Sequence, residues 1–217
     1  VDAGSSLKVG YLSDSESSEA TVNGTLEIND PVSLAGKLVN NGTVTTTGTG
    51  SFADLTNSGT LKTAGAFTSQ KTVNNGVIES AAEAAFGTLE NKGSVTGTAV
   101  VIGTDSAAGT LTNDVGASIT ATAEGVNMVL AGQNTNAGNI EGASVSVKLQ
   151  DGAQLANSAA IKATGEEGIT LSGSQTAKFT NSGSLETGRL AVESIAFETT
   201  SEIAADQVSV TGSAFTV

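Results

Sequence analysis

The chain has 217 residues, 38% hydrophobic but only 3% aromatic, and 9 Lys and Arg against 22 Asp and Glu give a net charge of −13. So acidic a surface repels phosphate backbones and excludes nucleic-acid binding. The absence of Cys and His excludes disulfides, thiol chemistry, imidazole metal sites and Ser-His-Asp catalysis, and no apolar run of about 18 residues reads as a membrane-spanning helix.

Residues 1–21 come first in chain order. SLKVGYL at 6–12 alternates apolar and polar side chains, which predicts a strand with Leu7, Val9 and Tyr11 on its inner side. The acidic, Ser-rich SDSESSEA follows. This segment reads as a cap or assembly strand ahead of one domain spanning 22–217. The sequence begins at Val1 and shows no signal peptide, as expected of a mature, processed protein or an excised fragment.

From there an asparagine returns on a beat. Asn23, Asn40, Asn57, Asn74 and Asn91 are 17 residues apart, and Asn113, Asn136, Asn157 and Asn181 follow at steps of 22, 23, 21 and 24. The local phrases read LVNNGTV, LTNSGTL, TVNNGVI, LENKGSV, LTNDVGASI, NTNAGNI, LANSAAI and FTNSGSL. A period of about 20 residues marks a solenoid, because one such coil cannot bury a core until neighbours stack on it. The Asn column from Asn40 to Asn181 is expected to form a side-chain amide ladder along one edge. Gly42, Gly59, Gly76, Gly93, Gly138 and Gly183 hold the glycine place of the turn, where tolerance of positive φ is the expected reason for Gly. Gly116 is displaced by the inserted Val115, and Ala159 replaces Gly once.

The aliphatic after each turn predicts an inward column: Val44, Leu61, Ile78, Val95, Ile119, Ile140, Ile161 and Leu185. A second precedes the turn: Leu38, Leu55, Leu89, Leu111, Leu155 and Phe179, with Thr72 and Asn134 as departures. VSVKL (145–149), ITLSG (169–173) and VSVTG (208–212) read as further strands, and no stretch has capped helical periodicity. At the C-terminal end Val208 and Val210, then Phe215 and Val217, alternate in the same way as the first strand. The fold class is therefore all-β: a right-handed parallel β-helix with three short strands per coil and coils of about 17–24 residues. It should have about nine or ten coils and a length of roughly 45 Å at the inter-strand spacing. The lengthening near residue 100 predicts a wider cross-section or loops, not a new domain. Outside, the column Thr45, Lys62, Glu79, Thr96, Thr120, Glu141, Lys162, Glu186 places opposite charges next to each other, as a repeat array needs.

Chemistry is sparse along the chain. Asp105, Asp151, Glu166 and Glu167, with the single arginine Arg189, are the candidates for polysaccharide cleavage by paired carboxylates. The chain has no Trp and one Tyr to build a sugar platform, and the expectation is that it is not an enzyme. Asp14, Glu16 and Glu19, and the turn carboxylates Asp105, Asp114, Glu124 and Asp151, match no EF-hand or calcium nonapeptide. The expectation is no cofactor, with calcium held at most loosely on the surface. Thr45, Thr46, Thr47 and Thr49 hint at an ice-binding face, but Lys62 and Glu79 interrupt it.

With repeats such as LTNSGTLKTAGAF and LTNDVGASITATAEG, the chain resembles the parallel β-helix passenger regions of bacterial autotransporters and haemagglutinin-like exoproteins over about residues 20–212. The resemblance implies export, an extracellular setting and adhesive or structural work. No counterpart of that family's C-terminal membrane barrel is expected within these 217 residues. Two functions follow as expectations. One is a surface solenoid whose partner is itself, joined head to tail through Leu7, Val9, Tyr11, Val208, Val210, Phe215 and Val217. The other is an adhesin passenger that holds a cell-surface or host glycan or protein.

Overall fold

The computed structural model describes residues 1–14 and 18–216, with the side chain of Asp14 outside the described part. It is an all-β solenoid of about 12 turns with coils of about 18 residues. Among the described residues every pairing between strands is parallel. Counting asparagines undercounts the coils, because the outermost ones carry Val22 or Thr199 in the asparagine's place.

A coil has three faces. In the coil after Asn57, Thr60–Thr63 forms face A, and Phe67–Asn74 bends through one residue into face B (67–69) and face C (71–74). Later coils gain their residues elsewhere. Asn139–Leu149 and Ile161–Gly173 run through faces A and B as single strands, while face C stands apart as Gln154–Asn157 and Lys178–Asn181. The longer beat therefore reflects both a longer face and loops at the B–C corner.

Leu26, Val44, Leu61, Ile78, Val95, Ile119, Ile140, Ile161 and Leu185 stack residue on residue as the inner column of face A. None is more than 5% exposed. Face C has Leu38, Leu55, Thr72, Leu89 and Leu111 in its column, then Asn134, Leu155, Phe179, Phe197 and Phe215. The two polar departures differ. The Asn134 side chain accepts from the Leu111 amide at 2.8 Å and donates to Gln154 O at 3.1 Å. The fully buried Thr72 hydroxyl has no hydrogen-bond partner. Because that desolvation is uncompensated, Thr72→Val should raise stability by about 1 kcal/mol; a lowered urea midpoint would show that the hydroxyl is hydrated.

Face B solves a packing problem by alternating sizes in two neighbouring columns. Gly50, Phe67 and Ala84 form one, and Phe52, Ser69 and Phe86 the other. Each large ring lies beside a small residue on its own strand, so the rings mesh diagonally, with centroids 5.6 Å (Phe52–Phe67) and 5.3 Å (Phe67–Phe86) apart. A Cβ on Gly50 would come 3.0 Å from the Phe52 ring. Such interdigitation brings a thin core to native density.

The turn glycines correct the expectation made for them. Gly42, Gly59, Gly76 and Gly93 do not have positive φ. A Cβ there would instead lie 1.9–2.1 Å from the carbonyl oxygen of Gly24, Gly42, Gly59 or Gly76 in the coil before. The coils approach so closely at this corner that no side chain fits. Gly116, in the inserted turn, does adopt φ +81° with open space around its Cα.

Candidate functional site

Three features remain once the core is assigned: the internal amide ladder, the charged outer columns and the open end coils. The ladder begins at Asn40. Each Nδ2 donates to the Oδ1 of the next coil's asparagine: Asn40 to Asn57 at 2.7 Å, then Asn74 at 2.8, Asn91 at 2.8 and Asn113 at 2.8. Asn136, Asn157 and Asn181 follow at 2.7 Å each. Asn181 hands the last bond to Thr199 Oγ1 at 3.1 Å. These side chains are at most 1% exposed, so the ladder runs inside the wall and not along an outer edge. Backbone groups use the remaining capacity: Asn74 Nδ2 also reaches Ser94 O at 3.0 Å, and Asn74 Oδ1 accepts from Gly76 N at 3.3 Å. Satisfied on every side, a buried amide is tolerated and fixes the stacking register.

Asn23 keeps the 17-residue beat but stands outside the ladder. Val22 pairs with Asn40, and Asn23 Oδ1 accepts from exposed Asn41 at 2.9 Å. The reason is one extra residue between Leu34 and Lys37, where the register shifts against the next coil.

The outer charges sit in columns as well. Lys62 meets Glu79 at 2.7 Å, and Lys162 meets Glu186 at 4.0 Å with Glu141 in register on its other side. The sequence reading missed a second alternating column on face C: Glu19, Lys37, Asp54 and Lys71 are successive partners, with Lys37 and Glu19 3.4 Å apart. Its signal was the constant offset of three from the ladder, since these residues precede Val22, Asn40, Asn57 and Asn74 by three. All of these groups are about half exposed, so each pair contributes about 1 kcal/mol or less. Their effect is to prevent like charges from stacking.

The carboxylates named for catalysis are dispersed. Asp105 is on an outer loop and bonds Lys148, two coils on, at 2.7 Å. Asp151 is exposed at a turn. Glu166, Glu167 and Arg189 are nearer one another: the Arg189 carbonyl lies 2.1 Å from where a Cβ on Gly168 would be. All three side chains are exposed, and among the described residues no ion pair joins them. Of the acidic set weighed for calcium, Glu16 and the Asp14 side chain lie outside the described residues. No group of three or more metal-ligating side chains gathers among the described residues.

A groove of about 700 Å³ follows the B–C corner, lined by Ser33, Ser51, Thr68, Gln70 and Thr88 and walled at one end by Thr104 on the 103–108 loop. Among the described residues no charged one lines it. Among the described residues no helix is long and apolar enough to cross a membrane.

The end coils differ from the middle. Ser6–Val9 pairs with Thr25–Ile28, Leu12–Asp14 with Val32–Leu34, and Glu19–Val22 with Lys37–Asn40. These three strands thus lay down the first coil on the chain's own stack. Leu7 continues the inner column of face A yet is 47% exposed, having no coil above it. Tyr11, expected to point inward, follows the strand and is 60% exposed. At the other end Val208 and Val210 are 52% and 42% exposed, while Phe215 packs at 4.8 Å on Phe197 and leaves its far side open. Val217 lies outside the described residues. Against protein-family models, curated proteins and solved structures the chain finds no match.

Proposed function

We propose that this chain is a structural rod of a bacterial cell surface, exported, and associating with itself end to end into a fibre, sheath or surface layer. One observation carries the reading. Columns closed to water through the middle of the stack open only at the two end coils, at Leu7 and at Val208 and Val210. Among the described residues, Ser6–Val9 and Leu12–Asp14 at one end and Ile203–Thr211 and Ala214–Thr216 at the other each pair with a strand on one side only, and such an edge is a template for another strand. The lateral surface is suited to solubility: it is acidic overall and laced with alternating charge. The cysteine-free, Ser- and Thr-rich composition and the resemblance to exported β-helix passengers support the extracellular setting. The role is mechanical and not catalytic, with no cofactor, and calcium acts at most as a loose counterion to the net −13 charge.

The test is the particle size of the purified chain by light scattering over a hundredfold range of concentration, with negative-stain microscopy of the same samples. Growth into particles of rod-like width is expected. A monomer at every concentration would overturn the reading. The adhesin alternative would then lead, favoured by the groove of Ser33, Ser51, Thr68 and Gln70, whose described lining is uncharged and whose hydroxyls and amide suit a neutral glycan.

A further inference from the structure

We infer that the end-to-end contact is a continuation of the solenoid itself, in a register the chain already encodes. The inference rests on the self-association proposed above. In it, Ile203–Thr211 and Ala214–Thr216 of one copy pair in parallel with Ser6–Val9, Leu12–Asp14 and Glu19–Val22 of the next.

The columns set the partners. Leu185 stacks on Ile203 at one end, and Leu7 on Leu26 at the other. Extending that column across the joint seats Leu7 on Ile203. In the same way Leu12, which stacks on Val32, follows Val208, which stacks on Leu190. Ala20 follows Phe215 and leaves room for the ring that Phe197 stacks against on its other side. Two half-covered apolar surfaces thereby become interior, large against small.

Charge agrees with this register. Lys8 comes opposite Ala204, with Glu202 and Asp206 as its diagonal neighbours two residues either way, within reach of its long side chain. Within its own copy Lys8 already pairs with Glu27 at 3.4 Å. Glu19 comes opposite Ala214, so no like charges meet there.

The phase of the chain agrees too. The Val1 carbonyl accepts from Asn23 N at 2.7 Å and Gly24 N at 3.3 Å, as the Val22 carbonyl accepts from Asn41 N at 2.7 Å and Gly42 N at 3.1 Å. The Val1 ammonium donates to Thr21 O at 2.9 Å. Val1 therefore holds the ladder place one coil before Val22. Across the joint that place comes directly after the one Thr216 holds, so the two copies meet in phase.

The chain contains no Cys, which makes the register measurable. Ser13 and Ser209 belong to one outer column of face B, at opposite ends of the rod. In an S13C/S209C variant the two positions would lie about 4.8 Å apart across the joint, within the Cα range for a disulfide. Mild oxidation should give a ladder of covalent dimers, trimers and longer species. S13C/T211C, displaced by two residues, should give at least tenfold less. Particles that form by light scattering but cross-link equally or better through S13C/T211C would overturn the register and leave self-association standing. A parent chain that never associates fails the underlying reading instead. Then a tandem fusion with Thr216 linked directly to Val1 of a second copy judges the register alone. One cooperative unfolding transition supports it, and two separate transitions overturn it.

Discussion

An Asn91→Asp variant is expected to lose about 3–5 kcal/mol at neutral pH, the cost of an uncompensated buried charge. The substitution changes almost no volume. It removes the Nδ2 that donates to Asn113 Oδ1 at 2.8 Å and to Ser118 O at 3.0 Å, and puts an acceptor against those acceptors. Position 91 is 0% exposed, so the carboxylate has no water to turn to. Burial disfavours the charged form and raises the folded-state pKa above the unfolded value of about 3.9. The folded variant therefore favours the protonated acid, whose O–H can still donate to Asn113. Relative to the parent, its deficit should be smallest below about pH 4 and grow as pH rises through the folded pKa. Urea midpoints of parent and variant at pH 4 and pH 7 measure this, and an equal deficit at both would place residue 91 in contact with solvent.

The second large effect is Ile78→Ala, at about 2–5 kcal/mol. Ile78 is 0% exposed and stacked between Leu61 and Val95, so truncation leaves a void between two buried neighbours in the column. Its chain neighbour Glu79 faces outward, 44% exposed, with Lys62 2.7 Å away. Glu79→Ala should cost about 1 kcal/mol or less. Similar losses from the two in chemical denaturation would reverse the assignment of inside and outside.

Most of the stack was legible because a solenoid repeats its own evidence. Leu61, Ile78 and Val95 hold one offset from the asparagines, and one offset means one column. What the sequence concealed falls where that regularity breaks or where two columns interact. Asn23 keeps the beat but loses the ladder, because the extra residue between Leu34 and Lys37 shifts the chain by one. The meshing of Phe52, Phe67 and Phe86 is invisible in any single column; it appears only when neighbouring columns are compared for size. The glycine of Asn-x-Gly has a familiar role in turns, and that familiarity hid a steric requirement imposed by the adjacent coil. The end coils escaped the asparagine count because Val22 and Thr199 replace the marker residue. Of the candidate site, the alternation of Leu7 and Val9 and of Val208 and Val210 could be read directly. Tyr11 could not, since nothing local distinguishes the last residue of a strand from the first of a loop.

Pulled along its axis, this rod is a set of springs in series, since each coil bears only on the one above and the one below. Every junction must then carry the full tension, and the softest gives way first. From Asn40 to Asn181 each junction adds a buried amide bond to its main-chain bonds. Between Val22 and Asn40 no such bond exists, and beyond Thr199 the series has ended. Under load the outermost coils would peel away as sacrificial turns, while the stretch stitched by asparagine held its length.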